Sequence, residues 1–344
     1  MKLKLCLTTL SLFTMIASNT ITASAASTNQ PIVLGYTQGT SNESLKGTQP
    51  VMNQVATDNF VFYSDGTVST NVPKDVLSYA KQSKIKSYAT FSNFNNAIDY
   101  FDPDLAHNVL SDSKKRKKLI NEMYTMIVTN KYDGVNIDFE DMKPEDRNLF
   151  TSFVKETSEK FHVSGHSVMV SVPAKSEDNR EDTWTWPFDY AQLGKNADFL
   201  QVMTYDEHGS WSEPGSTISR PWLEESLNYA IKLVNSKKII MGIPSYGNDW
   251  DLTDKNESGM LAWKDTNALI QQTKAKPHRD AISGSMVFIY TDSKKHKHVV
   301  WYEDEASIKQ KAYYTVTKKL GGVSVYAVEK TNKQFWTAVS NGLK

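Results

Sequence analysis

The sequence predicts an α/β protein whose parallel strands close into a (β/α)8 TIM barrel, with a small α+β insertion after the seventh strand. Three observations carry this reading. From Gln30 onward, short β-rich runs alternate with amphipathic segments and no low-complexity linker intervenes, a pattern that implies parallel strands joined by right-handed crossovers. Eight such units can be traced, the number a closed barrel requires. The 344 residues, 39% hydrophobic and 23% charged, suit a globular barrel of roughly 250 residues carrying an insertion rather than a disordered chain.

Taken in order, the first residues are not part of the fold. Lys2 and Lys4 precede an apolar stretch from Leu5 to Ile16, and Ala23-Ser24-Ala25 supplies a small-x-small cleavage pattern. Residues 1–25 therefore read as a secretory signal peptide, too short in its apolar run to span a membrane. The barrel is assigned to residues 26–344, and the protein is expected to be secreted or held at the cell envelope. Strands are expected at Ile32–Tyr36, Asn59–Ser64, Ser87–Phe91, Gly134–Glu140, Ser167–Pro173, Phe199–Tyr205, Ile239–Tyr246 and Gly322–Val328. Helices are expected at Ser111–Thr129, Glu145–Phe161, Arg220–Asn235 and Ala306–Leu320. Residues 249–304 break the alternation: a helix-like Thr266–Lys274 precedes strands at Met286–Tyr290 and His298–Tyr302, joined by a polar, turn-forming segment.

Composition excludes several classes of function. The 39 Lys and Arg balance 39 Asp and Glu, so the charge excess typical of a nucleic-acid partner is missing. Lys114-Lys115-Arg116-Lys117-Lys118 opens a helix whose packed face is Leu119, Ile120, Met123 and Met126, and reads as a solvated outer face. The single cysteine, Cys6, falls in the signal segment and rules out a disulfide framework. No later segment is long and apolar enough for stable membrane insertion. His296-x-His298 reads as part of a hairpin turn rather than a metal site, and neither a Gly-rich phosphate loop nor a Ser/His/Asp signature occurs. No metal and no cofactor are expected, and the chain is expected to act as a monomer.

The run Asp133-Gly134-Val135-Asn136-Ile137-Asp138-Phe139-Glu140 carries the chemistry. Side chains alternate along a strand. Val135, Ile137 and Phe139 then face the surrounding helices, while Asn136, Asp138 and Glu140 point into the barrel, with Glu140 nearest the C-terminal mouth where sites of this fold lie. Asp138 and Glu140 are ~6.6 Å apart along the strand. A partly buried carboxyl beside a second one has its pKa pushed up, which suits a general acid.

This run resembles the active-site strand D-x-x-D-x-D-x-E of family 18 glycoside hydrolases, reading here D-x-x-N-x-D-x-E. Gln201-Val202-Met203-Thr204-Tyr205-Asp206 resembles the family's Q-x-M-x-Y-D, and Gly242-Ile243-Pro244-Ser245-Tyr246-Gly247 its G-x-P-x-Y-G. All three fall in family order on expected strands. Asn136, Ser92-Asn93-Phe94 and Trp301-Tyr302-Glu303-Asp304 resemble the bacterial branch that acts on spore cortex and peptidoglycan.

The resemblance implies substrate-assisted retaining hydrolysis, in which the sugar's own acetamido oxygen attacks the anomeric carbon. It implies Glu140 as acid and then base, Asp138 as acceptor of the acetamido N–H, and Tyr205 as donor to the same group. Asn136, Asp206, Met203, Gln201, Tyr246, Tyr326, Asn93 and Trp211 are expected to line the sugar site. Asn136 replaces an Asp that pairs with Asp138 in most of the family, and Tyr326 stands where most members carry Trp. Trp184, Trp186, Trp211 and Trp250 follow expected strands and either stack on pyranose rings or pack within their loops. The expected partner is an N-acetylglucosamine-containing polysaccharide, cleaved at β-1,4 bonds. Peptidoglycan or cortex is the first candidate and chitin the alternative, with a non-catalytic sugar-binding barrel as the other class.

Overall fold

The computed structural model describes residues 30–344, so the expected signal segment and Cys6 lie outside the described residues. Eight parallel strands close a barrel in sequential order. They are Ile32–Thr37, Gln54–Val61, Lys86–Ser92, Gly134–Asp138, Ser167–Pro173, Phe199–Met203, Ile239–Pro244 and Gly322–Tyr326. Closure is made by the first strand pairing with the eighth (Ile32 opposite Gly322) and with the second (Leu34 opposite Gln54).

The alternation of side chains sorts the molecule into two apolar compartments. Outward residues such as Val135, Ile137 and Phe139 join Phe150, Phe153 and Val154 of the helix Arg147–His162 in the large barrel–helix core. Inside the barrel a small cluster of Leu34, Tyr36, Ala56, Tyr88 and Met169 fills the lumen. Two polar lumen residues are buried and hydrogen-bonded through their amide nitrogens: Asn136 Nδ2 donates to Ser171 Oγ at 3.1 Å, and Gln201 Nε2 donates to Ser324 Oγ at 3.0 Å. Pairing is what makes polar groups tolerable in a low-dielectric interior.

Several boundaries differ from expectation, each for a local reason. The second strand starts at Gln54, earlier than the apolar run at Asn59 suggests, because Gln54, Ala56 and Asp58 turn into the polar lumen. A register shift between Thr57 and Phe60 then returns the chain to the outer core. The helix expected at Ser111–Thr129 is found at Ser113–Asn130, and a further helix, Pro103–Ser111, precedes it. Asp112 separates them and caps the second by accepting from Lys114 N at 2.8 Å and Lys115 N at 3.3 Å. Arg116 of the basic run pairs with Glu156 at 2.8 Å and Lys118 with Asp65 at 3.0 Å. The helix expected at Ala306–Leu320 is broken, into Glu305–Ala312 and Tyr314–Thr317.

Between the seventh and eighth barrel strands lies a five-stranded antiparallel sheet with its own core of Phe288, Val300 and Tyr302. Its strand order is Gly259–Ala262, Tyr246–Asp251, Lys297–Tyr302, Met286–Thr291 and His278–Arg279, with the helix Trp263–Thr273 inserted. The expected run Ile239–Tyr246 is divided at Ser245, whose hydroxyl donates to the carbonyls of Tyr326 (2.8 Å) and Ala327 (2.7 Å). That anchor ends the barrel strand, and the insertion sheet begins at Tyr246. No helix among the described residues is long and apolar enough to cross a membrane.

Candidate active site

The fourth strand delivers Asn136, Asp138 and Glu140 to the lumen and the mouth. Asn136 is fully buried and locked to Ser171 and, at 3.4 Å, to Thr90 Oγ1. Asp138 is buried, and its Oδ1 has no hydrogen-bond partner among the described residues. Such an oxygen is costly to leave unsatisfied, so the site is built for a donor arriving from outside. Glu140 lies two residues past the strand's last paired position, half-buried at the rim.

What aims Glu140 is Asn93, just after the third strand. Asn93 is fully buried; its Oδ1 accepts from Glu140 N at 2.9 Å and its Nδ2 donates to Glu140 O at 2.8 Å and Asp102 O at 3.2 Å. Both ends of the amide are therefore spent on backbone. The expectation that Asn93 contacts sugar is replaced by a positioning role beneath the acid.

A stack of tyrosines forms the opposite wall. The Tyr205 and Tyr326 rings lie 6.0 Å apart at 23°, and Tyr36 meets Tyr326 at 5.9 Å. Gly242 makes room for this wall: a Cβ there would come within 2.6 Å of Tyr205 Cε1. Tyr326 O–H donates to Asp58 Oδ2 at 3.3 Å and its oxygen accepts from Gln38 Nε2 at 3.0 Å. Asp58 is an acid the sequence reading missed. Thr57 and Asp58 directly precede the run Asn59–Ser64 that marked the second strand, and that adjacency was the available signal.

Electrostatics follow from this crowding. Burial, then the charge of Asp58, holds the Asp138 carboxyl well above the ordinary carboxylate range, opposed by a hydrogen bond from Ser171. Burial, then the charges of Asp138, Asp206 and Asp58, raises Glu140. Asp58 itself is raised, chiefly by burial. Burial and neighbouring negative charge also raise the phenols of Tyr205 and Tyr326, so both stay protonated donors. The arrangement offers a proton from Glu140, an acceptor on Asp138 and a phenolic donor on Tyr205 around one space at the barrel mouth.

The remaining expected residues divide. Met203 ends the sixth strand half-buried, and Asp206 is exposed just beyond it, its Oδ1 accepting from the buried Tyr246 O–H at 2.7 Å. Tyr246 therefore holds Asp206 rather than facing solvent. Gln201 is fully buried and committed to Ser324, so it shapes the lumen and does not reach the rim. Trp211 stands 72% exposed on the loop after the sixth strand. Trp250 is buried, its indole N–H donating to Gly209 O and Ser212 O, each at 3.1 Å, and packs the loop instead of the mouth.

The sequence profile of glycosyl hydrolases family 18 matches residues 33–330. The chain belongs to glycosyl hydrolase family 18. As a family 18 member it is a glycosidase. It is 45% identical to the Bacillus subtilis (strain 168) glycosylase YvbX over 315 residues, 91% of this chain and 92% of that one. It is 23% identical to the cortical fragment-lytic enzyme of the same organism over 295 residues, 85% of this chain and 68% of the other. Among solved structures, a chitinase from Chromobacterium violaceum ATCC 12472 superposes with a TM-score of 0.86 at 33% identity, covering 91% of this chain and 99% of that chain.

Proposed function

We propose that this family 18 chain is an exported retaining glycosidase that cleaves β-1,4 bonds following N-acetylglucosamine in peptidoglycan or spore cortex. The observation that carries the chemistry is the buried, unpartnered Asp138 Oδ1 beside a Glu140 carboxyl whose surroundings favour its proton. In the step this supports, Glu140 gives its proton to the glycosidic oxygen while the acetamido oxygen attacks the anomeric carbon and the leaving-group bond breaks. Asp138 accepts the acetamido N–H and offsets the positive charge of the resulting oxazolinium ring. Tyr205 O–H donates to the acetamido group. The Glu140 carboxylate then takes a proton from the incoming water, whose oxygen bonds to the anomeric carbon and reopens the ring.

Asn136 cannot share a proton with Asp138 as a second carboxyl would. Asp58 fills that part from the second strand: it brings a carboxyl whose charge bears on Asp138, and Tyr326 fixes its orientation. Similarity to the cortical fragment-lytic enzyme, with Asn136 and Tyr326 as departures from the usual family pattern, supports the cortex reading. Similarity to the Chromobacterium chitinase supports the second, chitin as substrate. Export is supported by the charge and apolar pattern of residues 2–25.

Mass spectrometry of soluble products from purified spore cortex and from chitin decides between them. The expected result is release of cortex fragments with N-acetylglucosamine at the new reducing end. Release from chitin alone favours the second reading, and sugar binding without turnover on either polymer makes the chain a lectin-like barrel.

A further inference from the structure

The barrel mouth holds a cation that the hydrolysis does not use. Lys330 closes the short turn Val328–Lys330 directly after the eighth strand, and its side chain is half-buried. Its ammonium lies 5.6 Å from the centre of the Tyr326 ring, on the tyrosine wall of the site. The turn that carries it is pinned. Lys330 N donates to Ala327 O at 3.1 Å, Thr331 Oγ1 donates to Val328 O at 2.7 Å, and the indole N–H of the buried Trp336 donates to Thr331 Oγ1 at 2.8 Å.

None of the three ammonium protons has a hydrogen-bond or ion-pair partner among the described residues. The acids whose charges act on Lys330 are Glu329, Asp206 and Asp58. Each is held by another group. Glu329 Oε1 accepts from Thr37 Oγ1, from Gly39 N at 3.3 Å and from Ser44 Oγ at 3.5 Å. Asp206 Oδ1 accepts from Tyr246 at 2.7 Å, and Asp58 Oδ2 accepts from Tyr326 at 3.3 Å. The neighbouring Lys264 shows the contrast, since its Nζ is spent on Glu329 O at 2.8 Å. Keeping a half-buried ammonium without a partner is costly, and a donor held in that state beside a binding site favours an acceptor brought by the ligand.

The chemistry of that acceptor follows from the proposed polymer, and the inference rests on the reading that this mouth binds N-acetylglucosamine chains of the cell wall. In such chains every second sugar is muramic acid, which carries a 3-O-lactyl ether. The lactyl group ends in a carboxylate when no peptide is attached, and it is neutral at that position when amidated or closed into a lactam. Chitin has no such group. A mouth lined by Asp58, Asp138, Glu140 and Asp206 opposes a carboxylate unless a cation receives it.

We propose that Lys330 Nζ binds the lactyl carboxylate of the muramic acid next to the N-acetylglucosamine held at Asp138, making peptide-free strands the preferred substrate. Lys330 is then a specificity-determining residue, and it takes no part in proton transfer or in attack at the anomeric carbon.

Calorimetry on Glu140→Gln, which prevents cleavage, tests this with three tetrasaccharides. The first alternates N-acetylglucosamine with muramic acid bearing free lactyl carboxylates, the second is its lactyl methylamide, and the third is chitotetraose. We expect the acid to bind at least ~10-fold more tightly than the other two, the scale of a charge-assisted hydrogen bond. That preference is expected to shrink as salt rises. Adding Lys330→Met, or Lys330→Gln as a second neutral variant, is expected to erase it, while Lys330→Arg keeps most of it. Circular dichroism melting checks that each variant is folded. The absence of an acid preference in Glu140→Gln, or its survival in a folded Lys330→Met, overturns the proposal. So does an equal loss on all three sugars, which is what a purely structural contact with Tyr326 predicts. Turnover of the same sugars by the wild-type chain is read separately: hydrolysis of none defeats the glycosidase reading, while the binding preference alone decides the role of Lys330.

Discussion

Glu140 and Asp138 show how a barrel mouth alters ordinary carboxylates. Neither changes its covalent nature; burial and neighbouring carboxylates raise both, and the fourth strand is fixed by Phe139 packing among Phe62, Phe150 and Phe153. Glu140→Gln keeps the shape and removes the proton. It is expected to lower kcat by ~10²–10⁴ with affinity for an N-acetylglucosamine oligomer nearly unchanged, measured by turnover and calorimetry. The same substitution has a stability signature. A carboxyl whose folded pKa is raised binds its proton more tightly when folded, so its contribution is complete below the unfolded pKa and lost as pH rises through the folded one. The melting temperature of Glu140→Gln should therefore gain on that of wild type as pH rises above the ordinary glutamate range and through the raised folded pKa. Asp58→Asn tests the third acid. Removing its charge lowers the pKa of Asp138 and Glu140, so the alkaline limb of the kcat profile is expected to move to lower pH. A purely structural Asp58 would leave that limb in place.

At the scale of elements, each functional group sits at or just past the end of a strand, where pairing stops and side chains face the mouth. Asp138 and Tyr326 are the last residues of their strands, while Tyr205 lies just beyond Met203. Position alone leaves the terminal backbone free to move, and Asn93 supplies the restraint by bonding both backbone groups of Glu140. Asn93→Ala strands those groups in a buried setting, at an expected cost of about 1–3 kcal/mol in unfolding free energy. It should also lower kcat more than it raises KM, because the proposed acid loses its aim while the tyrosine wall of Tyr205 and Tyr326 remains. Urea unfolding together with steady-state kinetics reads both effects.

On the scale of the whole molecule, the insertion and the barrel are joined by a buried ion pair. Lys311, on the helix following the insertion, pairs with Glu303 at its exit, and both are essentially inaccessible. Ser285 of the insertion donates to Glu303 Oε1 at 2.5 Å and accepts from Lys311 Nζ at 3.2 Å. Burial lowers the Lys311 pKa against the opposing pull of Glu303. Lys311→Met leaves the Glu303 charge buried alone and is expected to destabilise the chain by about 3–5 kcal/mol. Lys311→Met with Glu303→Leu should recover most of that loss, since well-packed apolar groups commonly replace a buried pair without penalty. Denaturant unfolding of the single and double variants separates the two outcomes.

The alternation of β and α segments determined the barrel, and strand parity determined that Asn136, Asp138 and Glu140 share its inner side, because both are consequences of local periodicity. The insertion was legible for the same reason, from hydrophobic runs at Met286–Tyr290 and His298–Tyr302 separated by a polar turn. Tertiary structure alone decided that Asp58 stands with Asp138, that Asn93 and Tyr246 serve Glu140 and Asp206 instead of a sugar, and that Asp249, Asp251 and Asp292 surround His298. These are contacts between strands distant in the chain, set by barrel closure and sheet register. Periodicity records which face a side chain takes, but not which residue waits across from it.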